Sequence, residues 1–240
     1  MTNNRAPKHI GIIACSYEGA ALCYKTICNE GSIYLGEHAH PEISLHTHPL
    51  HEYMVFINND NWSGVADLMI SSANKLTVIG SEILICPDNT CHQAYDEAKE
   101  KITTTWLHIA EEVSNEAKRN GFKKIGILGT KYTMENNVYP QKLTANNMEY
   151  ETPPAEERNR INDIIFNELV YGVIKEESKK YFLDAINGLK SKGCDAVVLG
   201  CTEIPLIVMP EESSLPTLDS TRILARAALK AAIQFENLKI

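Results

Sequence analysis

Apolar residues in this chain fall into short unbroken runs, separated by longer stretches with helical spacing. "HIGIIAC" (9–15) has the composition of a strand buried on both faces and leads through "SYEGAALCYKTICNE" into a loop and helix. "EISLHTH" (42–48) predicts a second strand, followed by a mixed helix around 60–77. "EILICP" (82–87) predicts a third, with a helix over 92–101 behind it. In "TTWLHIAEEVSNEAKRNG" (104–121) a brief extended piece precedes an amphipathic helix that Gly121 should end.

The pattern restarts at "KKIGILGT" (123–130). The polar segment 146–160, with its Pro153-Pro154 pair, predicts a surface connection. Helices are expected around 157–171 and 176–191, then the strand "CDAVVLGC" (194–201). A last short strand, "LPTLDS" (215–220), leads to the Ala-rich helix 221–235. Buried strands alternating with helices predict an α/β fold with mainly parallel sheets covered on both faces. The halves 9–100 and 123–205 follow one plan, which suggests an internal duplication.

Open α/β sheets bind ligands at the carboxyl ends of their strands. Ser16, Glu18, Asp88, Thr130 and Cys201 all fall at such ends. Composition narrows the ligand. In 240 residues, 44% apolar and 22% charged, 23 basic residues face 31 acidic ones, for a net charge of -8. Lacking a Lys/Arg-rich block, such a chain is a poor partner for nucleic acid or an anionic membrane, although one local site can still hold a small anion. The apolar run at 9–15 is too short for a signal-peptide core, and no run reaches bilayer length. Seven irregularly spaced cysteines, an odd number, point to reduced thiols in the cytoplasm.

Two turns, "CPDNTCH" (86–92) and "GCTEI" (200–204), share an outline but differ in the reactive group: Asp88 in one, Cys201 in the other. "GCTEI" resembles the second signature of the cofactor-independent aspartate/glutamate racemases. "DNTCH" resembles their first, where Cys or Thr more often stands before Asn-Thr. "GILGTKYTMENNVYPQKL" (126–143) and "ERNRINDIIFNELVYG" (157–172) are similar to further segments of that family, nearest its bacterial broad-specificity amino-acid racemase branch.

The resemblance implies two pseudo-symmetric α/β domains, 1–105 plus 211–240 and 106–210, with the active site in the cleft between them. The strand at 215–220 would then join the first sheet. It also implies a homodimer, no cofactor, no metal, and an acidic amino acid or related dicarboxylate as substrate. By matching positions Asn89, Thr90 and Thr202 would hold the α-carboxylate. Thr130 and Thr133 would add hydroxyls, and Arg160, where the family usually has Lys, would meet the distal carboxylate. His51 and Ser16 match further binding positions. "IACSYEG" (13–19) departs from the Gly-rich turn more usual before Ser-x-Glu.

Racemisation without a cofactor needs one group to remove the α-proton and a second to return it on the opposite face. Cys201 suits the task, since a thiol titrates near about 8.5 and helix N–H groups can lower that further. Pro205 implies that the helix beyond is short. Asp88 suits it less: an unperturbed carboxyl is about 4.6 units more acidic, or roughly 6 kcal/mol poorer as a base. Burial beside a thiolate and a substrate carboxylate would recover part of that.

Several readings stay open. Asp88 is a second base, or it binds only the substrate ammonium or caps the following helix. Cys86 replaces it only if the turn at Pro87 is remodelled. With one working thiol the chain would be an isomerase, lyase or decarboxylase of a related dicarboxylate. Without catalysis it would be a binding protein for acidic amino acids. Five of eight histidines lie in 37–52, and His46 and His48 would share one strand face, which keeps a metal hydrolase as a rival. Arg160 could equally pair with Glu156 or Glu157 on a helix surface.

Overall fold

In a computed structural model that describes residues 6–233, the chain forms two compact units: 6–108 with 224–233, and 109–223. Each is built on a four-stranded, wholly parallel sheet.

In the first unit β1 (Ile10–Ala14) leads to α1 (Tyr17–Leu35), β2 (Ile43–Thr47), α2 (Leu50–Asn58) and α3 (Trp62–Val78). Then come β3 (Ile83–Ile85), a 3-10 turn (Thr90–Ala94), α4 (Tyr95–Glu100) and β4 (Thr105–Leu107). The spatial order is β2-β1-β3-β4. β1 and β3 are buried along their whole length, which explains their unbroken apolar runs. β2, at the edge, mixes polar and apolar positions.

The second unit comprises α5 (Ile109–Arg119), β5 (Lys124–Gly129), α6 (Lys131–Glu135), α7 (Val138–Ala145), β6 (Glu149–Glu151), α8 (Ala155–Asn167), α9 (Glu176–Ser191), β7 (Ala196–Gly200), α10 (Ile204–Ile207) and β8 (Thr217–Asp219). Gly121, at φ +78°, follows α5 as expected. The order β6-β5-β7-β8 repeats that of the first sheet, strand for strand. This is the duplication suggested by the sequence, now visible as topology.

Three expectations need correction. The strand within 215–220 lies in the second sheet, not the first: β8 pairs with β7, Val198 opposite Leu218, and Ser220 Oγ donates to the Leu199 carbonyl. Having one edge covered by β5, β7 offers its other edge to the segment that follows it, and the repeat is completed. The polar stretch 146–160 is more than a connection, since it holds β6 and the start of α8. An edge strand that is largely exposed carries no apolar run to betray it. α2, α6 and α7 were not anticipated at all.

The last helix, α11 (Ser220–Ile233), starts in the second unit and continues in the first. There Leu224, Ala225, Ala228, Leu229 and Ala232 are buried. Ala232 O accepts from Lys8 N, and Arg226 grips Glu30 of α1 through two nitrogens. Residues 234–235 of the expected helix lie outside those described.

Candidate active site

β5 and β7 run side by side to their ends, Gly129 opposite Gly200. A Cβ on Gly200 would stand 2.8 Å from the Leu128 carbonyl oxygen, and one on Gly129 2.8 Å from that of Gly200. The space is filled by Thr133, whose Cγ2 would lie 3.2 Å from a Cβ on Gly200 and 3.0 Å from one on Gly129. Thr130 starts α6 as its N-cap, its Oγ1 accepting from Thr133 N at 3.2 Å and standing 3.2 Å from the Thr133 hydroxyl. Both threonines are buried, so the structure brings these two expected binding hydroxyls together.

Cys201 follows Gly200 directly and is 9% exposed. Its thiol donates to Glu203 Oε2 at 2.9 Å, and Glu203 is itself buried, at 4% exposure. Thr202, between them, is buried as well. The helix beyond, α10, has only four residues with Pro205 near its start, as that proline implied. Sulfur and carboxylate therefore share one turn. Glu203 was missed in the sequence, although an acidic residue two places after the cysteine in an otherwise apolar stretch was a signal for it.

Arg160 occupies the exposed side of α8, near enough to Glu168 to favour its charged form. Among the described residues it forms no ion pair with Glu156 or Glu157. Asn162 Oδ1, two residues on, accepts from Lys131 N at 3.0 Å and holds α8 to the loop after β5.

The first unit places Asp88 in the corresponding turn after β3. It is partly exposed, and its Oδ1 accepts from Cys91 N at 2.9 Å, which caps the 3-10 turn. Its carbonyl accepts from His92 Nδ1 at 2.8 Å. Asn89 and Thr90 are buried beside it. Ser16 stands at the N-cap position of α1 without a side-chain capping bond, and His51 lies exposed in the first turn of α2. These helices begin where β1 and β2 end, so both residues stand at the carboxyl edge of the first sheet.

Cys86 is fully buried, with its thiol hydrogen-bonded to Cys91. That bond and burial together push it well above the usual thiol range. It is thus a core thiol rather than a replacement for Asp88. Cys15, at the end of β1, stands beside Asp88 and Cys91. Its bond to Cys91 draws its pKa down, but burial and the Asp88 charge prevail and push it up to about 12. Two thiols thus lie within 4.8 Å of one carboxylate, and Cys86 is bonded to one of them. Nothing in the spacing of these cysteines along the chain shows that they meet.

His46, in β2, and His48, just past its end, lie on one side and are turned to α3. His46 Nδ1 lies 2.9 Å from Ser72 Oγ and His48 Nε2 3.1 Å from Ser71 Oγ. Lys75 Nζ stands 2.9 Å from His46 Nε2. An ammonium at that nitrogen opposes a second cation there, which removes the physical basis for the metal-hydrolase rival.

The chain is similar to known proteins of one family. The profile of the family described as Asp/Glu/Hydantoin racemase matches residues 19–228. A broad specificity amino-acid racemase of Bacillus subtilis is 24% identical over 173 residues, 70% of this chain and 73% of that one. A provisionally assigned Asp/Glu racemase from Yersinia pestis superposes with a TM-score of 0.87 at 33% identity, covering 95% of this chain and all of the other. An aspartate racemase homologue from Pyrococcus horikoshii gives 0.82 at 29%, with 95% and 100% covered.

Proposed function

Because this chain belongs to the Asp/Glu/hydantoin racemase family, a family of isomerases, we propose that it racemises aspartate, glutamate or a close relative without a cofactor. Cys201 exchanges the proton on one face of the α-carbon and Asp88 on the other. The observation that carries this reading is the buried Cys201 thiol donating to Glu203 at the end of β7. Glu203 can take up the thiol proton as the thiolate forms to abstract that of the substrate.

Thr202, with Asn89 and Thr90 of the other turn, binds the α-carboxylate, on which charge builds as the proton leaves. Thr130, Thr133, Ser16 and His51 add polar contacts. Arg160 offers its planar fork to the distal carboxylate. The same reading takes the protein to act as a cytoplasmic homodimer on a free small molecule. Seven cysteines outside any disulfide suit a reducing compartment.

One observation favours a second reading. Asp88 Oδ1 is engaged in capping Cys91 N, so Asp88 can serve as a positioning group, leaving Cys201 to act alone on one face.

The test is α-proton exchange in deuterated water with both enantiomers of aspartate and glutamate. Racemisation predicts deuterium incorporation together with loss of optical rotation. Exchange without inversion selects the one-thiol reading. Tight binding of every substrate without exchange or turnover would sink the enzyme.

A further inference from the structure

We propose that Cys15, Cys91 and Asp88 form a binding site for one thiophilic divalent cation of the Zn2+ class, with water as the fourth ligand. The two sulfurs and a carboxylate oxygen all lie within 4.8 Å of one another. A tetrahedral Zn2+ with bonds of about 2.0–2.3 Å keeps its ligand atoms about 3.3–3.8 Å apart, so closure takes rotamer adjustments rather than backbone movement. The donors come from the end of β1 and the turn after β3, so the first sheet itself holds them in place.

A second feature points to a ligand independently. Tyr53 is fully buried, and its hydroxyl has no hydrogen-bond partner among the described residues. Burial holds its proton, and the groups that next affect it are Cys91, Cys15, Cys86 and Asp88. It therefore lies near this cluster. A buried hydroxyl without an acceptor is uncommon. Ligation by a cation would turn the neutral thiols around it into thiolates, strong acceptors that a tyrosine can orient from outside the ligand set. As each metal–sulfur bond forms, the thiol proton leaves to solvent. Asp88, partly exposed, is the side from which the ion enters. A disulfide between two of the sulfurs would still leave the Tyr53 hydroxyl without an acceptor, which is why the arrangement suits a cation better. If Asp88 serves the substrate as proposed above, the bound ion also inhibits; the binding site itself does not depend on that reading.

The test is titration of the reduced, metal-free protein with Cd2+, read by sulfur-to-metal charge-transfer absorption in the absence of substrate. We expect saturation at one ion per chain. Asp88→Asn should weaken binding about tenfold or more, and Cys15→Ser and Cys91→Ser should each remove most of the signal while still unfolding cooperatively. Cys201→Ala should retain it. No absorption, an unchanged signal in both serine variants, or loss of the signal in Cys201→Ala would overturn the proposal. Should one serine variant fail to fold, the other and Asp88→Asn decide. None of these outcomes depends on racemase activity, so failure here and failure of the catalytic reading are separate results.

Discussion

The turn after β3 and the turn after β7 hold the same position in two sheets of the same strand order. Both bring sulfur and carboxylate together, but with the roles exchanged. In the second unit one thiol donates to one buried carboxylate. In the first, a partly exposed carboxylate stands among buried thiols. A duplicated scaffold therefore fixes where reactive groups stand, while the side chains decide what each can do. Two proton carriers of different acidity are chemically compatible with racemisation, because each face of the α-carbon needs only a base or its conjugate acid at a given moment.

The strongest break in this comparison is Cys201→Ala, which should reduce α-proton exchange by about 10²–10⁴-fold, measured by mass spectrometry in deuterated water. Retained exchange would move proton transfer to the first unit. Asp88→Asn should reduce inversion about 10²-fold and leave exchange at one face within a few fold, seen by comparing polarimetry with isotope uptake. Equal loss of both signals would mean that the turns act as one device.

Smaller effects test the scaffold. Gly200→Ala should cost about 1–3 kcal/mol in chemical denaturation, because its Cβ would meet a backbone oxygen at 2.8 Å. β3, by contrast, is followed directly by the side chain of Cys86. The mildest test concerns Glu168 of the second unit, buried and hydrogen-bonded to Ser178 and Lys175. The Ser178 bond, opposed by burial and aided by Lys175, lowers its pKa below the ordinary 4.5. A lowered carboxylate adds stability above its unfolded pKa and loses it as the pH falls through the folded one. Glu168→Gln should thus cost about 1–3 kcal/mol at neutral pH. In acid denaturation series the gap to the native chain should close below about pH 4.5.

How far the sequence could be read depended on burial. β1, β3, β5 and β7 were legible because their central places in the sheets demand unbroken apolar runs. β6 was hidden, since an edge strand of Glu-Tyr-Glu has no such need. Asp88, Thr130 and Cys201 stood out because a polar or reactive residue just after a buried strand is conspicuous. Glu203 and Tyr53 were not singled out, one inside a quoted motif and the other in a helix that was not anticipated.

By itself, then, the sequence determined the α/β class, the repeated plan and the two reactive turns, because these follow from local apolar periodicity and from what interrupts it. Only the tertiary structure decided which sheet receives β8, that Glu203 is a partner of the Cys201 thiol, and that Cys15, Cys86 and Cys91 gather about Asp88. Those are contacts between strand ends and turns whose pairing depends on register and strand order, and neither is written in the local pattern of the chain.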